Sequence, residues 1–291
     1  MTLLRSFTVL DVIFLAAVAG FVIASGSRRV GTWRYGPAIT AAAWLLFGGF
    51  WTATGVDYLA TGRSFLGVVS VVAAGVAVYG GSLVARHRQV GWRLTRAFAV
   101  MGLLFVPFQF LLPVYGAGLS LVAGHTGALL SALGFSPVFA HGAGGAANLV
   151  LFEGRPPTHG IRIVSACTGI SGIALFVGLI AATDAPVRRR LVACLPVGVA
   201  IYVLNLVRTA FVAGALAGRW FADVGTWVFG AADPALASYY VAEYVIAQAL
   251  VVLVLLGVYL AVSRWLPELG SFVGGIVSSL ERDMQPIVQR R

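Results

Sequence analysis

Two side chains in this 291-residue sequence have the chemistry for a thiol-based site: Cys167, in "SACTGISGI", and Arg208, in "LNLVRTAFV". A cysteine attacks carbonyl carbon as its thiolate. A nearby cation favours that thiolate and then stabilises the oxyanion that forms. Glu243, in "SYYVAEYVIAQ", is a third group. It reads equally as a counter-ion for Arg208, as an acid/base group, or as a solvated residue at a helix start, where acids are favoured. Arg208, Glu243 and Asp11 sit within apolar runs, where ionisable side chains are costly and each is a candidate for function. For Cys167 the plain alternative is a small apolar filler. Three features argue for chemistry instead: a predicted place at a helix N-terminus, room left by Gly169 and Gly172, and an arginine expected at the same depth on the next helix. Cys194 is predicted at the opposite membrane face, where it cannot pair with Cys167, and reads as structural.

The elements that must carry these groups are membrane helices. Hydrophobic residues make up 59% of the chain and charged residues 10%, with a mean hydropathy of +0.94. So little charge cannot cover a water-soluble surface, and this excludes a soluble enzyme. The net charge of +10 comes from 20 basic and 10 acidic residues, and every basic residue is arginine. These arginines gather in short loops, which points to membrane orientation and away from nucleic acid. About 20 apolar residues cross a bilayer as a helix. Seven runs meet that length, at 8–26, 37–55, 64–85, 97–117, 165–184, 191–217 and 239–262. A further stretch, 118–134, is rich in Gly and Ser, carries His125, and reads as a re-entrant or interfacial helix.

The loops set the orientation. Arg28, Arg29 and Arg34 fall between spans one and two. Arg86, Arg88, Arg93 and Arg96 fall between three and four, and Arg188, Arg189 and Arg190 between five and six. Arg264, Arg282, Arg290 and Arg291 follow span seven. These alternating clusters should be cytoplasmic; the opposite loops hold only Arg63, Arg155, Arg162 and Arg219, with Arg5 at the N-terminus. The expected fold is therefore an all-α integral membrane protein of seven helices, N-terminus outside and C-terminus inside. A small ordered extracellular cap is expected between spans four and five, with a hairpin from Leu149–Phe152 and Ile161–Val164. Residues 1–262 form a single transmembrane domain in this reading, and 263–291 a cytoplasmic amphipathic tail serving as an interfacial anchor. On span six, Arg208 rises about 26 Å from Leu191, into the outer leaflet. Tyr202, Asn205 and Thr209 make a polar stripe beside it, which argues for a wet interior over an arginine snorkelling to the headgroups.

A cysteine in "SACTGISGI" followed by the arginine of "LNLVRTAFV", both near the outer ends of spans in a polytopic chain, resembles the exosortase/archaeosortase family, in its archaeal branch. The resemblance covers about 160–250. It implies a membrane thiol transpeptidase at the outer face of the cell membrane. Its partners would be the C-terminal signals of exported surface proteins, each made of a short motif, a transmembrane helix and a basic cluster. Cys167 would form an acyl-thioester, Arg208 would be the second catalytic residue, and a membrane lipid would accept the new C-terminus. The family places a His, or in archaeal members an Arg, near the start of the last catalytic helix. This chain reads Ala242-Glu243-Tyr244 there. Glu243, Tyr244 and Arg219 are the candidates for that role; His159, in the outer loop eight residues before Cys167, reads either as another base or as a plain loop histidine. No cofactor or metal motif is visible. Two other readings stay open: a transporter using Asp11, Arg208 and Glu243 as a polar conduit, and a catalytically altered family member acting as an assembly factor.

Overall fold

In the computed structural model the described residues are 7–27, 35–62, 64–141, 147–152 and 160–288. The apolar runs become helices: α1 (Val9–Ser27), α2 (Gly36–Ala60), α3 (Ser64–Arg86) and α4 (Arg88–Phe110), then α5 (Leu112–Ala132). Three short strands follow, β1 (Pro137–Ala140), β2 (Leu149–Phe152) and β3 (Ile161–Arg162), and then a 3-10 turn, Ser165–Thr168. Next come α6 (Ile170–Ala182), α7 (Val187–Gly218), α8 (Ala222–Phe229) and α9 (Pro234–Tyr240). A π-helical segment, Val241–Ala247, leads into α10 (Gln248–Trp265), and α11 (Pro267–Val288) closes the described chain.

Six of these stretches are long and apolar enough to cross a membrane: Val9–Gly26, Gly36–Ala60, Leu66–Arg86, Arg88–Phe110, Val187–Gly218 and Pro234–Trp265. The fifth expected span, 165–184, is shorter than its hydropathy suggests. Its helix holds 13 residues, about 20 Å at 1.5 Å per residue, against a hydrocarbon core of about 30 Å. Two other boundaries also move. The arginines expected in a loop before span four belong to helices, because α3 and α4 are separated by His87 alone. The helix expected to continue to residue 117 ends at Phe110, where Leu111 turns extended, with φ −89° and ψ 106°, and Pro113 opens α5. The stretch 118–134 lies mostly within that helix. Arg5, Arg28, Arg29, Arg34, Arg63, Arg155, His159, Arg290 and Arg291 lie outside the described residues.

The chain divides into two compact units. One holds Arg5–Val106, Ala174–Cys194 and Ser263–Arg291. Here small residues bring helices close: a Cβ on Gly20 would stand 2.8 Å from that of Ala43. Close approach of this kind drives helix pairing where lipid is as apolar as the side chains. Trp44 is 1% exposed, packs edge-on against Phe21 and Phe98, and spends its indole N–H on Thr95 Oγ1 at 3.1 Å. The amphipathic tail is α11, and the first part of its apolar face packs on protein: Phe272 packs with Ala97 and Ala182. Arg189 fixes the start of α11 through Glu268 Oε1 at 2.9 Å and the Trp265 carbonyl.

The other unit holds Met1–Leu4, Pro107–Ile173 and Leu195–Val262. Its core joins α5, the strands, the later turns of α7 and the start of the Pro234–Trp265 stretch. Leu119, Val122, Ala123 and Leu130 pack with Val150, Ile163, Val212 and Leu216. The expected hairpin is a three-stranded antiparallel sheet in the order β1-β2-β3, with Val138 opposite Leu151 and Val150 opposite Ile161. The extra strand, β1, begins at Pro137 and alternates too little to be read from hydropathy. Asn148 closes the sheet onto the approach to the 3-10 turn: its Nδ2 donates to the Ile163 carbonyl at 2.9 Å, and Ile163 N donates back to the Asn148 carbonyl at 2.7 Å.

Candidate functional site

Cys167 sits in the 3-10 turn and not in a long helix. Val164 arrives extended, Cys167 N donates to the Val164 carbonyl at 2.8 Å, and Thr168 Oγ1 donates to the Ser165 carbonyl at 2.6 Å. Gly169 then takes a left-handed conformation, with φ 73°, and α6 starts at Ile170. A side chain at 169 meets two obstacles. The left-handed backbone costs about 1–2 kcal/mol for an L-residue, and its Cβ would lie 3.3 Å from that of Asn205. Gly169→Ala should therefore lower the thermal unfolding midpoint and displace the turn from α7. An unchanged midpoint together with unchanged Cys167 labelling would show that the turn tolerates a side chain.

Helix α7 holds the turn from the other side. Asn205 Nδ2 donates to the carbonyl of Cys167. One turn further on, Arg208 donates through a terminal nitrogen to Glu243 Oε1 at 2.5 Å. The partners are 14% and 21% exposed, so the pair is largely shielded and the guanidinium does not snorkel. Arg208 Nε is buried without a hydrogen-bond partner among the described residues. Glu243 lies in the π-helical segment, a geometry that often marks functional sites. The stripe expected on α7 is thus made of three separate bonds. Asn205 donates to the cysteine turn and Thr209 Oγ1 back to the Asn205 carbonyl at 2.9 Å, while the Tyr202 oxygen and His125 Nδ1 on α5 share a hydrogen bond at 2.7 Å. The tether from Asn205 went unread because an amide on a helix carries no sign of which carbonyl it will meet.

The Cys167 thiol is half-buried in this turn and lies within electrostatic reach of both Arg208 and Glu243.

The other sequence candidates fall into place around this group. Tyr244 is 56% exposed and stacks on Tyr240, with ring centroids 5.8 Å apart. Tyr239 touches the same rings and packs on the core that Cys167 borders. Arg219 follows the end of α7 with φ 54°, is exposed, and makes no hydrogen bond to Cys167, Arg208 or Glu243. Asp11 caps α1 reciprocally with Thr8, accepting from Thr8 N at 2.9 Å and Thr8 Oγ1 at 2.8 Å. That bonding accounts for its place at a helix start. Cys194 is half-buried on α7. Among the described residues no three His, Cys, Asp or Glu side chains cluster so as to hold a metal ion.

The chain matches the family model described as transmembrane exosortase over residues 8–233, a span that takes in Cys167, Asn205 and Arg208 and stops before Glu243. It is similar to archaeosortase A of Haloferax volcanii, 31% identical over 291 residues, covering 94% of both chains. It is also similar to archaeosortase A of Natronomonas pharaonis, 31% identical over 287 residues, covering 94% of this chain and 90% of that one. No solved structure matches.

Proposed function

This chain belongs to the transmembrane exosortase family and is a multi-pass membrane protein, and from that premise we propose that it is a membrane cysteine transpeptidase acting on the C-terminal sorting signals of exported surface proteins. The observation that carries the reading is the gathering of groups around one turn. Asn205 holds the backbone of Cys167, and the Arg208–Glu243 pair stands one helical turn further along α7.

The chemistry is a thioester exchange. The Cys167 sulfur attacks the scissile carbonyl carbon and the oxygen takes negative charge. As the C–N bond breaks, the thiol's proton ends on the departing amine. Arg208 suits the oxyanion role better than proton donation, because its guanidinium stays charged at all ordinary pH. Among the described residues Glu243 engages one terminal nitrogen of Arg208, and the buried Nε–H keeps no partner of its own. Glu243 acts as the counter-ion that aims the guanidinium. The exposed Tyr244 lines the approach. The acyl group is then released to a membrane lipid bearing a hydroxyl.

The topology that fits is seven crossings, N-terminus outside and C-terminus inside, with 263–291 on the cytoplasmic side. The arginines at the starts of α4 and α7 belong on the same side by the positive-inside rule. The chain must therefore return across the bilayer between them, and α6 is the helix that completes that return. Because α6 falls about 10 Å short of the hydrocarbon thickness, the Cys167 turn lies recessed in the outer leaflet, within reach of a substrate held by its own membrane helix.

A direct test uses purified full-length protein in liposomes with a reporter carrying such a signal. After an acid quench, peptide mapping should find the reporter fragment on Cys167 as a mass adduct that hydroxylamine removes. Product formation without any adduct on Cys167 would overturn the thioester route.

A further inference from the structure

The Arg208–Glu243 pair and the Asn205 tether leave one polar pair of the same unit unused: His125 on α5 and Tyr202 on α7, joined at 2.7 Å. We propose that His125, oriented by Tyr202, is the general base that activates the hydroxyl acceptor when the thioester is resolved; this rests on the transpeptidase reading and assigns its second half.

The placement comes from both helices. Tyr202 is one turn from Asn205, the residue that grips the Cys167 carbonyl. It packs, as Cys167 does, against the core shared by α5 and α7. Helix α5 itself lies against the 3-10 turn that carries Cys167. His125 stands off the buried face of α5, formed by Leu119, Val122, Ala123, Thr126 and Leu130, and is exposed. Its neighbour Gly124 borders open space.

An imidazole exposed to hydrocarbon gains nothing there, and intramembrane ionisable groups of this kind face wet or occupied cavities. Among the described residues, Nδ1 is the ring nitrogen that is engaged. When Nδ1–H donates to the Tyr202 oxygen, the ring is fixed in the tautomer whose Nε2 carries a lone pair. A base held in orientation by a third group is the usual arrangement for activating a nucleophile.

The step balances without any outside reagent beyond the acceptor. The acceptor's O–H proton passes to Nε2 and its oxygen bonds the thioester carbon. The C–S bond breaks, and the Cys167 thiolate leaves beside the Arg208 charge and recovers the proton from the imidazolium. The acceptor is a hydroxyl compound, a lipid headgroup alcohol or water, and the mass of the released product tells which.

The test measures both half-reactions in liposome-embedded full-length protein. His125→Asn should form the adduct on Cys167 at close to the normal rate and release it about 10²-fold more slowly, in the range general bases contribute. The hydroxylamine-sensitive species therefore accumulates. Tyr202→Phe, which keeps the ring and its packing, should show the same defect at smaller size, and free imidazole should partly restore release in His125→Ala. The thermal midpoint of each variant separates a folding defect from a chemical one. Normal release by a folded His125→Asn overturns the assignment, as does a loss of adduct formation equal to the loss of release. If Cys167→Ala still processes the reporter, the transpeptidase reading itself fails, whatever His125 does.

Discussion

Cys167→Ala is expected to abolish processing of a signal-bearing reporter, by at least about 10³-fold, while Cys194→Ala is expected to remain within about twofold of the parent protein. In the proposed route Cys167 Sγ forms the covalent intermediate, so removing it leaves only binding and oxyanion stabilisation to act, and these do not supply a new nucleophile. The contrast between the two thiols is the informative part. Both are half-buried and both lie beside apolar helix. Only Cys167 has its carbonyl held by Asn205 and feels Arg208 and Glu243; Cys194 has only Arg190 as its charged neighbour. A general loss of folding would strike the two alanine variants alike, since each deletes one small, partly buried side chain. The readout is the ratio of cleaved to full-length reporter, with protein level and thermal midpoint measured in parallel. Equal processing by both variants would move the chemistry away from the turn.

The second large effect is at the Arg208–Glu243 pair, where stability and activity should separate. Removing one partner leaves the other charge shielded from water and unpaired, which costs about 3–5 kcal/mol for a buried pair. Glu243→Gln and Arg208→Met are each expected to lower the thermal midpoint strongly. The double variant Arg208→Met, Glu243→Leu should recover most of that loss, because apolar groups of similar size replace a buried pair at little cost. Processing should stay about 10²–10³-fold down in the double variant, the usual effect of losing an oxyanion donor. Arg208→Lys tests geometry alone. An ammonium can keep the charge near Glu243 but has no Nε–H beside a terminal nitrogen, so the planar fork is lost. Near-normal processing in a folded Arg208→Lys protein would rule out the oxyanion role. Recovery of processing together with stability in the double variant would reduce the pair to a structural brace.

The Pro234–Trp265 stretch is only partly legible in the sequence. Its apolar run was plain from hydropathy. The π-helical segment that carries Glu243 toward Arg208 was not, because a π-turn has no composition of its own and is stabilised by what its side chains reach. The same limit applied to Asn148, whose paired bonds with Ile163 depend on two strands meeting across a segment that hydropathy treats as loop.

The sequence by itself determined the membrane class and the approximate helices, and it singled out the two residues on which the proposed chemistry turns. Hydropathy and arginine placement are local sums, and Cys167 and Arg208 stand in short contiguous motifs. Tertiary structure alone decided who those residues meet. Glu243 became the partner of Arg208 from 35 positions away, Asn205 the holder of a carbonyl 38 positions back, and Tyr202 the partner of His125 across 77. It also decided that α6, the helix of the fifth expected span, is short and that the cysteine waits in a tight turn before it. Such choices belong to packing: each needs two distant segments to arrive with the right face and depth, and no window of sequence contains both.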